Sequence, residues 1–345
     1  MTEFNVISFG AVPDGTVDST EAFRKALSEA ERCKGTVIVP SGNYVTGPLK
    51  LGAGVAMKGS SGWSFRDFGT SVLHLRDGDT DCMIDMTGAF GGSISGICLD
   101  GGRKGKNVHG VKIDWEKYNG GEKEDTPTFD DCRIGNFSGD GIHLKHIWCF
   151  SIRHCMICHN LGCGLYIDGW DAFILDNLFS GNGNCGILGG PCVASITVTG
   201  NRVEWNSGAG FKFYRGDSYN ITGNFFDRSG GPAISLGDEN GGCNTVTVTG
   251  NIFRRNGKPC DKLKDDLDSC HFRMMNCENV VVTGNAFLLG CDDGGKGEYS
   301  PVHSVVLKDN SYCIIKDNVM RRAQLGETFV TDGDNSTCVI DNNIG

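Results

Sequence analysis

The chain has no run of about 18 apolar residues, the length a helix needs to cross a bilayer, so no helical membrane span is expected. It also lacks an excess of positive charge: 32 Lys and Arg stand against 42 Asp and Glu, a net of -10. That balance argues against nucleic acid or an anionic membrane as partner, because both select basic surfaces. Proline is scarce, at eight residues, and helical periodicity is scarcer still, which leaves strands as the main element. No basic and apolar leader is seen, since Phe4-Asn5-Val6 already reads as a first strand. Cysteine falls short of a disulfide scaffold in density and parity, with 17 residues in 345. Cys155 and Cys158 form a C-x-x-C without a second pair at zinc-finger spacing, so neither metal nor redox work is expected of them. Reduced thiols point to a cytoplasmic setting, or a secreted one if a leader has been removed.

What the sequence does have is glycine, 52 residues, and a phrase that recurs down its second half. The phrase is a strand, then Thr-Gly-Asn or a near variant, then an apolar pair: SITVTGNRVEW, YNITGNFFDR, TVTVTGNIFRR, NVVVTGNAFLL, and more loosely FILDNLFSG, CIIKDNVMRR and CVIDNNIG. Its Asn residues fall at 177, 201, 224, 251, 285, 318 and 342, a period of 23 to 34 residues, which signals a stacked solenoid. Several cysteines keep the same register: Cys313 and Cys338 lie five residues before an Asn, and Cys243 and Cys277 lie eight before one. They read as stacked core thiols. Within a repeat, Val, Ile and Phe alternate with Thr, Ser and Lys, the period of a half-buried strand. A second short strand follows a Gly-rich corner, as in GIHLKH, GLYIDG, GFKFYR, AISLGD and SVVLKD. An Asn repeated at one corner can hand side-chain hydrogen bonds from coil to coil, so the seven positions read as scaffold.

The N-terminal stretch carries one clear helix, opened by Asp18 with Glu21 three positions on, and with Ala22, Phe23, Ala26, Leu27 and Ala30 on one face. Such a helix would plug the open end of a solenoid core. The phrases FGAVPDGTVDS at 9–19 and GTVIVPSGNY at 35–44 resemble the N-terminal segment of the pectate-lyase-like right-handed parallel β-helix superfamily. The resemblance implies an all-β fold, a single-stranded right-handed parallel β-helix with an N-terminal capping α-helix. One domain, 1–345, is expected: 1–51 as first strand and cap helix, 52–345 as coils, with loop insertions at 258–270 and 291–303. The superfamily includes glycoside hydrolases, polysaccharide lyases, epimerases, fructan transferases and phage tailspikes, so it implies a carbohydrate partner without choosing a reaction. No amphipathic cap is visible near Asn343-Ile344-Gly345, and a homo-oligomer, a trimer as in some members, is expected to cover that end.

Three residues beyond the repeat Asn lie Ser180, Glu204, Asp227, Arg254, Leu288 and Arg321. With coils about 4.8 Å apart, Glu204, Asp227 and Arg254 should form a vertical column. Two carboxyl groups about 5 to 5.5 Å apart serve a retaining glycosidase, and about 6.5 to 9.5 Å an inverting one. Their proximity would split their pKa values and leave one protonated as an acid. The same column also fits an exposed ladder that only solvates an outer face. Trp205, Arg228 and Arg255 follow the column residues; an aromatic ring stacks on sugars and guanidinium forks grip anions, although Trp205 fits ordinary coil packing as well.

The two insertions would wall this side, and the second carries Asp292 and Asp293, candidates for substrate or calcium or else an acidic turn. Outward positions of the second strand give His143, Tyr166, Leu188, Lys212, Ser235 and Arg273 in one column, with Lys145, Asp168, Tyr214 and Met275 in the next. Lys212, Tyr214, His271 and Arg273 cluster towards the proposed pair. The nearest text to the polygalacturonase phrase, Gly139-Asp140-Gly141-Ile142-His143, lacks the second Asp; no W-x-D-H of calcium pectate lyases is present. The fructan-transferase phrase Gly183-Asn184-Cys185 occurs, but the transferase acids align with Ala209 and Arg215.

The expectation is a carbohydrate-active enzyme cleaving glycosidic bonds in an oligo- or polysaccharide, a glycoside hydrolase without a cofactor. Glu204 and Asp227 would be catalytic, Arg228, Arg254 and Arg273 would hold the sugar, and Trp205 and Tyr214 would stack on rings. A polysaccharide lyase on a uronate polymer, with Ca2+ held by Glu204 and Asp227 and with Arg254 abstracting the proton or neutralising charge, is the alternative enzyme. A non-catalytic glycan-binding or tailspike-type module is the third reading.

Overall fold

Alternating apolar residues and tight Gly-rich corners produce short parallel strands that stack coil on coil. A computed structural model describes residues 2–63, 69–116, 124–257, 266–289 and 300–345. Asp292, Asp293 and most of both insertions lie outside these residues. The chain packs as two units, Met1–Leu178 and Phe179–Gly345.

The first unit winds three ladders of parallel strands. One runs through Asp14–Asp18, Gly42–Thr46, Ser71–Leu75, Cys98–Asp100, Arg133–Gly135 and Met156–Cys158. A second runs from Glu3–Asn5 through Thr36–Ile38, Ala56–Lys58 and Ser93–Ser95 to Thr128–Asp130. The third joins Leu49–Lys50, Cys82–Asp85, His109–Asp114, Ile142–Arg153 and Leu165–Leu175. Its inward residues Ile84, Val111, Ile113, Leu144 and Ile167 are buried, so the alternate positions face out. Register sets the outward residues in a line: Lys50 beside Asp85, Asp85 beside Lys112, Lys112 beside His143, His143 beside Tyr166.

The helix spans Thr20–Cys33 and buries Ala22, Phe23, Ala26, Leu27 and Ala30 against the strands Glu3–Asn5, Thr36–Ile38, Gly42–Thr46 and Leu49–Lys50. Its N-cap is Ser19, not Asp18. Asp18 ends a strand, pairs with Val45, and spends its carboxylate on the Thr20 N–H at 3.0 Å and on Arg76 Nη1 at 2.9 Å. The Ser19 hydroxyl takes the Val12 N–H at 3.0 Å and makes no cap bond.

The second unit repeats the pattern. Val203, Phe226, Phe253 and Phe287 stack inward, with Phe253 and Phe287 ring centroids 4.6 Å apart. The Asn ladder runs Asn201 to Asn224, Asn251, Asn285, Asn318 and Asn343, each Nδ2 donating to the next Oδ1 at 2.9 or 3.0 Å. The last rung is Asn343, not Asn342, whose amide turns to Asp317. The Cys-to-Asn spacing accounts for this, since Cys338 precedes Asn343 by the same five residues that separate Cys313 from Asn318. A second set of bonded Asn pairs stands at other corners: Asn182 with Asn206 at 2.9 Å and Asn310 with Asn335 at 3.0 Å. The described cysteines are free thiols, most of them buried. Among the described residues no helix is long and apolar enough to cross a membrane.

Candidate functional site

Glu204, Asp227, Arg254 and Leu288 are register partners on four consecutive strands, as the repeat count predicts. The surroundings of Asp227 differ from those an acid/base pair needs. Asp227 is 1% exposed; its Oδ1 accepts from Arg255 Nε at 2.8 Å, and its Oδ2 from both Arg255 Nη2 and Arg228 Nη1 at 2.5 Å. A carboxylate with both oxygens shared between two guanidiniums, and no face to solvent, is a buried ion-pair partner with no route to a substrate proton. The cause is backbone geometry: Trp205, Arg228 and Arg255 all have φ between 54° and 58°, a left-handed corner after each strand that folds the side chains of successive coils onto one another. Arg228 lies 4.4 Å over the Trp205 ring and so covers one face of the expected sugar platform. Glu204 bonds Arg202 Nε at 2.7 Å.

Lys212 and Arg273 lie beyond the corner, on the ladder in which Leu188, Lys212, Ser235 and Arg273 are register partners, and Tyr214 directly follows the strand Phe211–Phe213. Lys212 Nζ sits 5.0 Å over the Tyr214 ring, and a cavity of about 240 Å3 is lined by both, by Asn184, Ser235 and Asp268, and by neither Glu204 nor Asp227. Arg273 is bonded to Asp268. The structure therefore does not join the expected acids to the expected binding cluster. His271 is not a surface ligand either: it is 0% exposed, packs edge-on against Phe287, and its Nε2–H donates to the Ala323 carbonyl at 2.9 Å. Burial pushes its pKa down to about 4, and it belongs to the core.

The first unit holds the more coherent group, on the outward face of the third ladder. Asp140, at the corner before Ile142–Arg153, accepts from His143 Nδ1–H at 2.8 Å and from the Cys163 N–H at 2.7 Å. Its own N–H donates to His109 Nδ1 at 3.0 Å, so the His109 proton is on Nε2. Burial, ahead of an opposing pull from the Asp140 charge, pushes the pKa of His109 down to about 4 and keeps it neutral. The His109 and His143 ring centroids are 4.4 Å apart; the Tyr166 ring stacks on His143 at 4.5 Å with planes 9° apart. Lys112 Nζ lies 2.8 Å from Asp81 and 3.0 Å from Asp114, and Lys145 Nζ lies 3.3 Å from Asp114. Glycine is needed at Gly162, where a Cβ would stand 2.4 Å from Asp140 Oδ1 and 2.8 Å from the Gly139 backbone. His109, Asp140 and His143 are close enough to be considered as metal ligands, but the Nδ1 atoms that face one another there are already bonded to the N–H and carboxylate of Asp140.

Chemically, Asp140 orients His143 through Nδ1 and leaves Nε2 to exchange a proton with a substrate, with a phenol and two ammonium groups beside it. Burial raises the Tyr166 pKa, and so keeps the phenol protonated. His143, Tyr166 and Lys145 were visible as outward positions in the sequence. Asp140 entered the sequence reading only as part of an incomplete polygalacturonase phrase, and the legible signal was an Asp three residues before an outward His at a strand start. His109 left no local signal, because only stacking brings it to Asp140.

With its coiled ladders and a polar outward face, the chain belongs to the right-handed β-helix family, which matches residues 95–240 and 189–344. Among solved structures it is similar to the Azotobacter vinelandii mannuronan C-5 epimerase AlgE4 A-module, at 17% identity and a TM-score of 0.64, covering 99% of this chain and 98% of that one. It is also similar to DFA-IIIase from Arthrobacter chlorophenolicus A6, at 14% identity and a TM-score of 0.66, covering 98% and 86%. At such identities the likeness is one of fold. A curated relative, the putative phage-related protein YobO of Bacillus subtilis (strain 168), is 34% identical over 113 residues, 33% of this chain; the match spans 12% of that relative's length.

Proposed function

We propose that the chain is a carbohydrate-active enzyme whose reaction centre is the His143 group, and that it removes a proton from a sugar carbon adjoining a carboxyl group. His143 Nε2 takes the proton, and the electron pair left on carbon passes into the carboxyl group, whose growing charge is met by the N–H groups that Lys112 and Lys145 keep beside their pairing with Asp114. Two outcomes balance: the bond to the glycosidic oxygen breaks as a carbon–carbon double bond forms, with Tyr166 protonating the leaving oxygen, or the carbon regains a proton on its other face. The first is elimination and the second epimerisation, both on a uronate-containing glycan. The observation that carries this reading is the Asp140–His143 bond at 2.8 Å beneath the stacked Tyr166 ring. The fold likeness to a mannuronan C-5 epimerase over nearly the whole of both chains supports it. Displacement between Glu204 and Asp227 has less support, because Asp227 is already bonded on both oxygens.

The test is a panel of polyuronates and neutral glycans scored for unsaturated, near-ultraviolet-absorbing product, for inverted uronate centres and for new reducing ends. Either of the first two, lost in His143→Gln, is the expected result. New reducing ends alone would assign hydrolysis and overturn the reading; binding without product would assign a glycan-binding module. Because lysine ammonium groups serve where calcium would otherwise bridge, a chelator is expected to leave the rate unchanged.

A further inference from the structure

Beyond the reaction centre, the line Lys50, Asp85, Lys112, His143 continues towards the helix Thr20–Cys33. Three strand steps separate His143 from Lys50, about 14 Å at roughly 4.8 Å per step. A depression of about 270 Å3 covers Lys112, Asp114, Asp81 and Asp85. It shares Lys50, Asp81, Cys82 and Asp85 with a cavity of about 460 Å3 whose far wall is the helix, through Arg24, Leu27, Ser28 and Glu31.

We propose that this helix-walled cavity binds an uncharged sugar unit of the glycan. Its place in the chain, as the terminal unit on this side, rests on the reaction centre proposed above; its preference for an uncharged ring does not. The charges decide the preference. Three carboxylates, Glu31, Asp81 and Asp85, line it against two cations, Arg24 and Lys50. Both cations are engaged: Lys50 with Asp85 at 2.8 Å, and Arg24 with Glu21 at 2.8 Å and the Pro48 carbonyl at 3.0 Å. Asp81 in turn is held by Lys112 at 2.8 Å. An entering uronate would meet one more carboxylate than cation in the lining, a repulsive pairing. Sugar hydroxyls suit the same walls, because an ionised carboxylate has about four acceptor positions and each here uses only part of them. The half-buried Pro48 ring supplies an apolar surface for the C–H face of a ring, with Leu27 and Leu49 packed behind it. The glycan that fits both ends of the line therefore carries uronate at His143 and a neutral sugar at the helix.

Binding to an array of neutral and uronate-containing glycans, followed by titration calorimetry on the hits, tests this without reference to turnover. Two variants report on the cavity. Ser28→Trp fills it from an exposed helix position, and Glu31→Lys reverses its charge balance. Neutral glycans are expected to bind the wild-type chain, to lose about tenfold or more in affinity in Ser28→Trp, and to be unaffected by His143→Gln; Glu31→Lys is expected to shift preference towards uronates. Absence of neutral-glycan binding, equal affinity in Ser28→Trp, or uronates using the wild-type cavity as well as neutral sugars would each overturn the proposal. Turnover retained in His143→Gln would defeat the reaction reading alone and leave the cavity result standing.

Discussion

At the scale of single residues, charge and burial decide which acids can act. Asp227 neutralises two guanidiniums, one of them, on Arg255, 3% exposed. Asp227→Asn is therefore expected to cost about 3–5 kcal/mol in urea unfolding, the usual penalty for leaving buried charge unpaired. Glu204→Gln, which loses one exposed partner, should stay within about 1 kcal/mol and leave turnover unchanged. Adjacency of Glu204 and Asp227 was legible by counting from the repeat Asn. Burial was not, because it depends on left-handed corners that lay Arg228 and Arg255 over the carboxylate. A second residue-scale effect follows from His109 and His271, whose folded pKa values are both lowered to about 4 from an unfolded value near 6.5. Between those values the unfolded chain binds more protons, so stability falls as pH drops from about 6.5 to about 4, by up to roughly 3 kcal/mol for each histidine. Carboxylates with lowered pKa values, as at Asp18 and Asp100, add stability that is fully present above about 4 and is lost only as pH falls further, so they leave the slope in this window to the histidines. Denaturant midpoints measured across this window, in wild type and in His271→Asn, check the slope; a flat profile in the wild type would refute it.

At the scale of elements, the Asn ladder explains why the repeat tolerates coils of unequal length. Each rung accepts the backbone N–H of the preceding Asn as well as its amide, at Asn251 from Asn224 at 2.9 and 3.0 Å, so the corner stays closed wherever the loop beyond it goes. Asn251→Ala is expected to destabilise by about 1–3 kcal/mol, the cost of stranding a buried donor, and Asn343→Ala at the last rung by less. Hydrogen exchange should then quicken first in Phe225–Asp227, Ile252–Arg254 and Ala286–Leu288; exchange that rose evenly across the chain would count against a ladder acting locally. The sequence displayed the ladder because Thr-Gly-Asn is a local phrase. It misplaced the last rung and the helix cap because local pattern does not fix where a side chain bonds: Asn342 turns to Asp317, and Asp18, still within its strand, divides its carboxylate between the Thr20 N–H and Arg76.

At the scale of the whole molecule, the account rests on stacking that makes a site from residues far apart in sequence. His109, Asp140 and Tyr166 come from three successive coils, and only the parallel register aligns them. The β-helix was legible from periodicity and from the N-terminal phrases, since both follow from local alternation and turn chemistry. The reaction centre was legible in part, as outward positions without a partner, because which acid meets which histidine depends on the corner geometry between strands. Solvent exchange at the substrate tests this assembly most directly. In deuterated water with a uronate-containing glycan, the wild-type chain should place deuterium on the carbon next to the carboxyl group, or release unsaturated product. His143→Gln should lower that rate by about 10²–10⁴-fold while keeping the fold. Equal exchange in the two proteins would contradict the assignment of His143 as the base.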